Sequence, residues 1–534
     1  MADNNRSLLS GNEAVARAAL DAGVALGVGY PGTPSTEILE TFAACGGKAQ
    51  WSPNEKVALE VGIGVAFGGA RALVTMKHVG VNVAADPLFT VAYSGCPGGL
   101  VIVTADDPGM ASSQNEQDNR HYARAAGVPM FEPSDSQEAY DFTFAALALA
   151  EDFQTPVFLR LTTRICHSKT IVRRRAERRP ENQAAFVRDV KSYVMIPAYA
   201  RPAHVRMRAR LAEIAHVSET STVNRVDDGR PELGIITSGV AYMHAREACP
   251  SARILKLGLT YPLPIEKIRA FAESVDRCVV VEEGDPILVS DARSAGIAVE
   301  GKDEMYRFGE LNVARVRRII AGNTAPEPRP PAGKPPALCQ GCPHRIAFQA
   351  LKELDAIVSG DIGCYTLGVM PPFQSIDTCV CMGASIGVGL GLRHVLPAQQ
   401  AKKVVSVIGD STFIHSGLTG IAEMVYNPPR TGHVVVILDN ATTAMTGLQE
   451  HPGTGRALNH EPARKMVLED VIRAMGVEDV QVFNPHKEKD HVKTLFAEAM
   501  EREGLTVFIM RSPCVLAAKK IHQYDTANAA AAGE

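Results

Sequence analysis

The chain has 534 residues, 46% of them hydrophobic and 21% charged, with a formal net charge of −4. That length exceeds one ordinary domain. The composition excludes a mainly disordered chain, and the charge gives no reason to expect nucleic acid or an anionic membrane as partner. Apolar runs such as Val434–Leu438 are strand-sized, so no membrane span is expected. The polar start MADNNRSLLSGNEA lacks a signal-peptide core, which points to the cytoplasm. Eleven cysteines in such a chain point to buried thiols or ligands rather than disulfides.

Residues 1–170 alternate helix-like and strand-like segments, with strands expected over 24–32, 70–78, 99–107 and 155–163. Residues 171–232 form a basic region. Between 165 and 232 there are 14 Lys/Arg against 8 Asp/Glu. With only Phe186, Tyr193 and Tyr199 among these charges, too few for a base-stacking surface, this reads as a solvated helical linker or a subunit-facing surface. Residues 233–325 regain the α/β pattern in a small domain. A Pro-rich linker follows over 326–336. Residues 337–520 form the last α/β unit, with strands expected over 356–363, 403–410, 432–440 and 505–513. The tail 521–534 is expected to be disordered. Strands alternating with helices predict an α/β protein of three doubly wound, parallel-sheet domains.

The most informative segment is GDSTFIHSGLTGIAEMVYNPPRTGHVVVILDN (409–440), continuing ATTAMTG. A strand ends at Gly409-Asp410, a helix follows, and a second strand ends at Asp439-Asn440. Ligands bind at strand C-termini in open α/β sheets. Gly409 lets backbone approach an anion. Asp410, Asn440 and the carbonyl of Thr442 are hard oxygen donors suited to Mg²⁺ clamping a diphosphate. An ordinary βαβ unit with an Asp in its turn is the plainer alternative.

This segment resembles the GDG…NN signature of thiamine-diphosphate enzymes. Ser411 stands where Gly is commoner, and Asp439 where the first Asn is commoner. The resemblance makes residues 337–520 the diphosphate-binding domain and 1–170 the pyrimidine-binding domain. In such enzymes the cofactor lies between the two. The cofactor needs a carboxylic acid beside N1′, and SPNEKVALEVGIGVAFGG (52–69) resembles the segment that supplies it, with Glu55 as the acid. Gly383, in CMGASIG, is a further cofactor-binding candidate.

Cys339-Gln-Gly-Cys342 opens the last domain, Cys364 follows in GDIGCYTLG, and Cys514 closes the domain. A lone CxxC is ambiguous among zinc, a redox dithiol and a cluster. The set resembles that of 2-oxoacid:ferredoxin oxidoreductases, where four such cysteines hold one 4Fe–4S cluster. Cys379 and Cys381 read as packing residues beside the cofactor. Further segments, among them GYPGTPSTEI (29–38), DDPGMASSQNEQDNRHYAR (106–124) and ILDNATTAMTG (437–447), extend the resemblance. From 8 to 520 the chain looks like the alpha subunit of indolepyruvate:ferredoxin oxidoreductase, and 233–325 corresponds to a transketolase C-terminal-like domain.

The resemblance implies oxidative decarboxylation of arylpyruvates (indolepyruvate, phenylpyruvate) to arylacetyl-CoA and CO₂, with CoA as co-substrate and electrons passing through the cluster. It implies a smaller, gamma-type beta subunit in an α₂β₂ assembly, and ferredoxin or another electron acceptor. It also implies that Thr33 meets the substrate, that Arg120 or His121 supplies a cation for the substrate carboxylate, and that His78, Asn82 and His415 line the cleft. A surface ion pair of Arg120 with Glu116 is the plainer alternative. The usual C-terminal module with two CxxCxxCxxxCP runs has no counterpart, so electrons are expected to leave through a partner. The rival reading is a non-oxidative thiamine-diphosphate-dependent decarboxylase, which would have no use for a cluster.

Overall fold

The computed structural model describes residues 5–176, 178–328, 333 and 335–531. The chain divides into two units, Met1–Pro328 and Arg329–Glu534. The linker expected over 326–336 lies largely outside the described residues.

The first unit holds a seven-stranded sheet. Its order is Leu259–Tyr261, Met130–Phe131, Val157–Thr162, Leu100–Asp106, Ala72–Lys77, Leu26–Gly29 and Ala49–Trp51. All neighbours run parallel except the first pair. Every residue of Ala72–Lys77, Leu100–Asp106 and Val157–Thr162 is buried, as a sheet covered on both faces requires. A second, four-stranded sheet runs Cys278–Val281, Arg230–Ser238, Ala252–Leu257 and Arg225–Asp227, with only the last strand antiparallel. The chain leaves this sheet at Leu257 and adds Leu259–Tyr261 to the edge of the first. The small domain is thereby stitched to its neighbour by backbone hydrogen bonds.

The basic region is no free spacer. Lys169–Arg173 pairs antiparallel with Arg6–Ser10. Arg174 and Arg178 both reach the buried carboxylate of Asp21, at 2.7 and 3.1 Å. Arg175 lies 3.9 Å above the Phe144 ring. The helix Pro197–Thr220 buries Ala203, Met207, Leu211 and Ile214, spaced about one helical turn apart. Arg174, Arg175 and Arg178 thereby tie the start of the region to the first domain, while other basic residues, among them Arg188, Lys191 and Arg201, are exposed.

The second unit holds a five-stranded, all-parallel sheet, ordered Ile357–Ser359, Val404–Gly409, His433–Asp439, Leu505–Arg511 and Asp479–Phe483. Alternation along the strands splits the core in two. Val405, Val407, Val434 and Val436 pack on one face; Ile408, Val435, Ile437 and Ile509 pack on the other. Each buried aliphatic side chain contributes about 1.5–3 kcal/mol. The tail expected to be disordered instead carries a helix over Ala518–Ala531. Its alanines have the highest helix propensity, and Ile521 gives it a buried anchor.

Candidate active site

In the second unit, Val404–Gly409 and His433–Asp439 are neighbours with Gly409 opposite Leu438, so Asp410 and Asn440 leave adjacent strand ends. Asp410 is 3% exposed. Its Oδ1 accepts the Ser411 amide and its Oδ2 the Ala441 amide, both at 2.9 Å. Although burial opposes ionisation, the nearby His451 and these donors hold the Asp410 carboxyl below its ordinary range. Asn440 is buried. Its Oδ1 accepts the Thr442 amide at 3.1 Å and its Nδ2 lies 3.3 Å from His344 Nε2. Burial lowers His344 to about 4, which keeps that ring neutral and able to accept. Thr442 Oγ1 is engaged by the Gln449 carbonyl. At Gly409 a Cβ would meet Tyr365 Cε1 at 2.5 Å, and at Gly383, with φ +85°, one would meet Ser416 Cβ at 2.5 Å. Both positions require the backbone alone.

The two departures from the signature have structural counterparts. Asp439, pushed up to about 6 by burial and by the Asp410 charge, receives Arg511 Nε at 2.7 Å from the residue opposite it on the next strand. Ser411 Oγ pairs with Thr443 Oγ1 at 2.8 Å. After Asp410 the helix passes through a π-helical turn, Phe413–Gly417, which holds the buried His415. Such turns recur at functional sites.

In the first unit, Glu55 opens the helix Glu55–Phe67, capped by Asn54 Oδ1 accepting the Val57 amide at 2.9 Å. Glu55 is 5% exposed, and a Cβ at Gly80 would lie 2.6 Å from its Oε1. Glycine there is what lets the carboxyl close on the next helix. Thr33 sits half-buried after the strand Leu26–Gly29. His78 is buried with Nε2 3.2 Å from the Asn115 carbonyl, whereas Asn82 is exposed and bonded to Gln117.

Arg120 is a correction. It does not pair with Glu116, which accepts the Gly309 amide. Arg120 is 3% exposed. Nε donates to Asp118 at 2.9 Å, Nη1 to Glu282 at 2.6 Å, and Nη2 to the carbonyls of Glu283 and Asp285 at 2.7 and 2.8 Å. These partners make it a buried joint to the small domain. His121 lies at the surface, 2.7 Å from Asp285 Oδ2.

Cys514 follows Leu505–Arg511, and its amide donates to the Asn440 carbonyl at 3.0 Å. A Cβ at Gly341, inside the CxxC loop, would lie 3.9 Å from Val515 Cγ1. Burial raises Cys342, and it raises Cys364 to about 11; in both cases the charges of the other cysteines in the set add to the rise. Among the described residues no three His, Cys, Asp or Glu side chains converge to hold a metal ion. By donor type alone, four thiols are the set an iron–sulfur cluster takes, and a carboxylate with two carbonyl-type oxygens is the set Mg²⁺ takes. Cys379 and Cys381 are exposed, not packed as expected.

A family model described as "Pyruvate flavodoxin/ferredoxin oxidoreductase, thiamine diP-bdg" matches residues 17–222, and "Thiamine pyrophosphate enzyme, C-terminal TPP binding domain" matches 361–510. A solved 2-oxoglutarate:ferredoxin oxidoreductase from Magnetococcus marinus shares the fold at 16% identity and TM-score 0.51, over 60% of this chain and 65% of that one. "Indolepyruvate oxidoreductase subunit IorA" of Archaeoglobus fulgidus is 42% identical over 96% of this chain and 87% of its own length; that of Methanothermobacter thermautotrophicus is 40% identical over 96% and 88%. The chain belongs to the IorA family. IorA-family membership makes it part of a thiamine-diphosphate-dependent 2-oxoacid oxidoreductase, whose reaction is oxidative decarboxylation.

Four residues of this IorA-family chain were not singled out by sequence. Asp361 is fully buried and accepts the Gly383 and Ser385 amides, both at 2.9 Å, fixing the start of the helix Ala384–Val395. His344 and His451 face Asn440 and Asp410. Lys77 is buried at the end of Ala72–Lys77 against Gly32, where a Cβ would lie 2.9 Å from its own, and its Nζ donates to the Ser112 carbonyl at 2.7 Å. Burial lowers its ammonium below the ordinary range. The run GDIG around Asp361 was available as a signal; Lys77 had none beyond its strand-end position. Among the described residues no helix is long and apolar enough to cross a membrane.

Proposed function

We propose that this IorA-family chain acts on arylpyruvates, yielding arylacetyl-CoA and CO₂. The observation that carries the reading is the shared strand end. Asp410 and Asn440 stand side by side there, and the Asn440 carbonyl receives the amide of Cys514. A metal–diphosphate site and a thiolate cluster would thus share one rigid edge.

Asp410, Asn440 and the Thr442 carbonyl would hold Mg²⁺ against the diphosphate, with Gly409, Ser411 and Gly383 giving the backbone room. Thiamine diphosphate supplies the carbanion chemistry when bound. Glu55 holds and returns a proton at the aminopyrimidine N1′. Thr33 donates to the substrate. Lys77, buried beside the Gly32-Thr33 turn, takes over the cationic role the sequence assigned to Arg120 or His121. Cys339, Cys342, Cys364 and Cys514 would hold one 4Fe–4S cluster. A 2-oxoacid and CoA thiol give acyl-CoA, CO₂, a proton and two electrons; a cluster held by these four thiols would supply one-electron transfer towards a partner subunit and ferredoxin or another acceptor. CoA as acyl acceptor is supported by the relative solved with coenzyme A bound, and a partner by the word "subunit" in the relatives' names.

The test is iron and sulfide analysis of anaerobically purified chain, with EPR after addition of indolepyruvate. Iron with an EPR signal of reduced cluster that appears on addition of the arylpyruvate supports the reading. Zinc, or carbon dioxide release with no reduction, sinks it in favour of non-oxidative decarboxylation.

A further inference from the structure

Beyond Asn440 the chain turns and enters a loop, residues 449–462, that walls the strand end. The Gln449 carbonyl accepts Thr442 Oγ1 at 3.2 Å and the Thr443 amide at 2.9 Å. His451 Nε2 lies 3.3 Å from Asp410 Oδ2. Backbone bonds such as Thr454 to His451, Ala457 to Glu461 and Ala463 to Gly455 shape the loop itself, and side chains add ties to its surroundings. Glu450 is buried, and its Oε1 accepts both Arg456 Nε and His460 Nδ1 at 2.9 Å.

Both donors are in turn engaged by the helix Ala518–Ala531. Arg456 Nη1 donates to Asp525 Oδ1 at 2.7 Å, and its guanidinium lies 5.9 Å from the Tyr524 ring centroid. The His460 ring stacks on Tyr524 with centroids 4.2 Å apart and planes 11° from parallel. Ile521, one turn earlier, is buried and anchors the helix. Two consecutive side chains of the last helix thus hold both donors of Glu450. Arg456 is 3% exposed, whereas Asp525 is 60% exposed. The buried guanidinium takes one partner from the loop and one from the helix, and loss of the second leaves its remaining N–H groups unsatisfied below the surface.

We propose that the last helix is a clasp. Tyr524 and Asp525 are positioning residues that keep Arg456 and His460 on Glu450 and so hold His451 against Asp410. The clasp sets how firmly the metal–diphosphate end retains its cofactor. The inference rests on the reading of Asp410 and Asn440 as ligands of that end.

The full chain carrying Tyr524→Ala or Asp525→Ala, with Asp525→Glu as the conservative rescue, tests it. Hydrogen-exchange mass spectrometry of the cofactor-free chain follows peptides over 449–463. Calorimetry follows thiamine diphosphate binding in the presence of Mg²⁺. Each alanine variant is expected to speed exchange in the loop about tenfold while the sheet strands keep their protection. Each should weaken the cofactor about tenfold, the scale of one charge-assisted hydrogen bond; Asp525→Glu should restore both. Faster exchange in the helix with none in the loop would overturn the clasp, as would a loosened loop with wild-type cofactor affinity. A wild-type chain that binds no thiamine diphosphate would refute the ligand reading instead, while loop exchange still decides whether the helix holds the loop.

Discussion

Asp410 Oδ2 lies 3.3 Å from His451 Nε2 and also accepts the Ala441 amide at 2.9 Å, while Oδ1 accepts the Ser411 amide. An ionised carboxylate has about four lone-pair sites, and two amides do not exhaust its capacity to accept a metal. Asp410→Ala is therefore expected to abolish Mg²⁺-dependent binding of thiamine diphosphate while the sheet folds. Calorimetric titration with the cofactor checks this; unchanged affinity would remove Asp410 from the metal site.

Glu55 is buried at a helix start with Gly80 making room for its carboxyl. Glu55→Gln keeps the shape and loses the transferable proton. Turnover should fall by more than about 10²-fold with cofactor still bound. Wild-type turnover would move the role to another acid.

Cys514 ties the last long strand to Asn440 through its backbone. With four thiols in the set, the anaerobically purified chain should carry about four irons. Cys514→Ser should lower iron content and thermal stability together, because ligands from distant parts of the chain make a cluster a staple as well as a wire. Loss of iron without any change in melting temperature would separate the two roles.

Arg120 and Lys77 should part in behaviour. Arg120→Ala leaves Glu282 buried without its ion-pair partner and Asp118 with Arg160 alone, which costs about 3–5 kcal/mol. The expected result is a large fall in urea midpoint. Lys77→Met should leave that midpoint nearly unchanged and raise KM for the oxoacid. A stable Arg120→Ala protein with raised KM would return the carboxylate role to Arg120.

Glu283 provides a pH signature. Its Oε1 accepts the Leu311 amide at 2.8 Å, while its buried Oε2 has no hydrogen-bond partner among the described residues. Burial raises it from 4.5 to about 7, against the opposing pull of the Leu311 amide, Arg160 and Lys302, with Glu310 adding to the rise. The folded chain then holds a proton that the unfolded chain has lost. The associated stability is complete below about pH 4.5 and is lost as pH rises through 7, on the order of 3 kcal/mol. Glu283→Gln should flatten that fall in a series of urea melts between pH 5 and 8. A parallel, merely displaced curve would assign the fall to another group.

Four strands of each large sheet were legible because a strand buried on both faces is mostly apolar, as in Val404–Gly409 and His433–Asp439, while Ala49–Trp51 and Asp479–Phe483 were not expected. The places of Asp410 and Asn440 followed from that pattern, since a strand–helix–strand unit puts consecutive strand ends on one edge. Short strands escaped: Met130–Phe131 and Leu259–Tyr261 are too brief to show a period and owe their existence to pairing across the chain. The role of Arg120 was also out of reach. Local sequence offers Glu116 at helical spacing, but its partners Glu282, Glu283 and Asp285 arrive from more than 160 residues away. The same holds for Lys77 against Gly32, Arg511 against Asp439, and Asp525 against Arg456. Periodicity reports which face of an element is buried. The neighbour that meets that face, and therefore whether a charge is free to act or bound in a joint, is decided by tertiary packing.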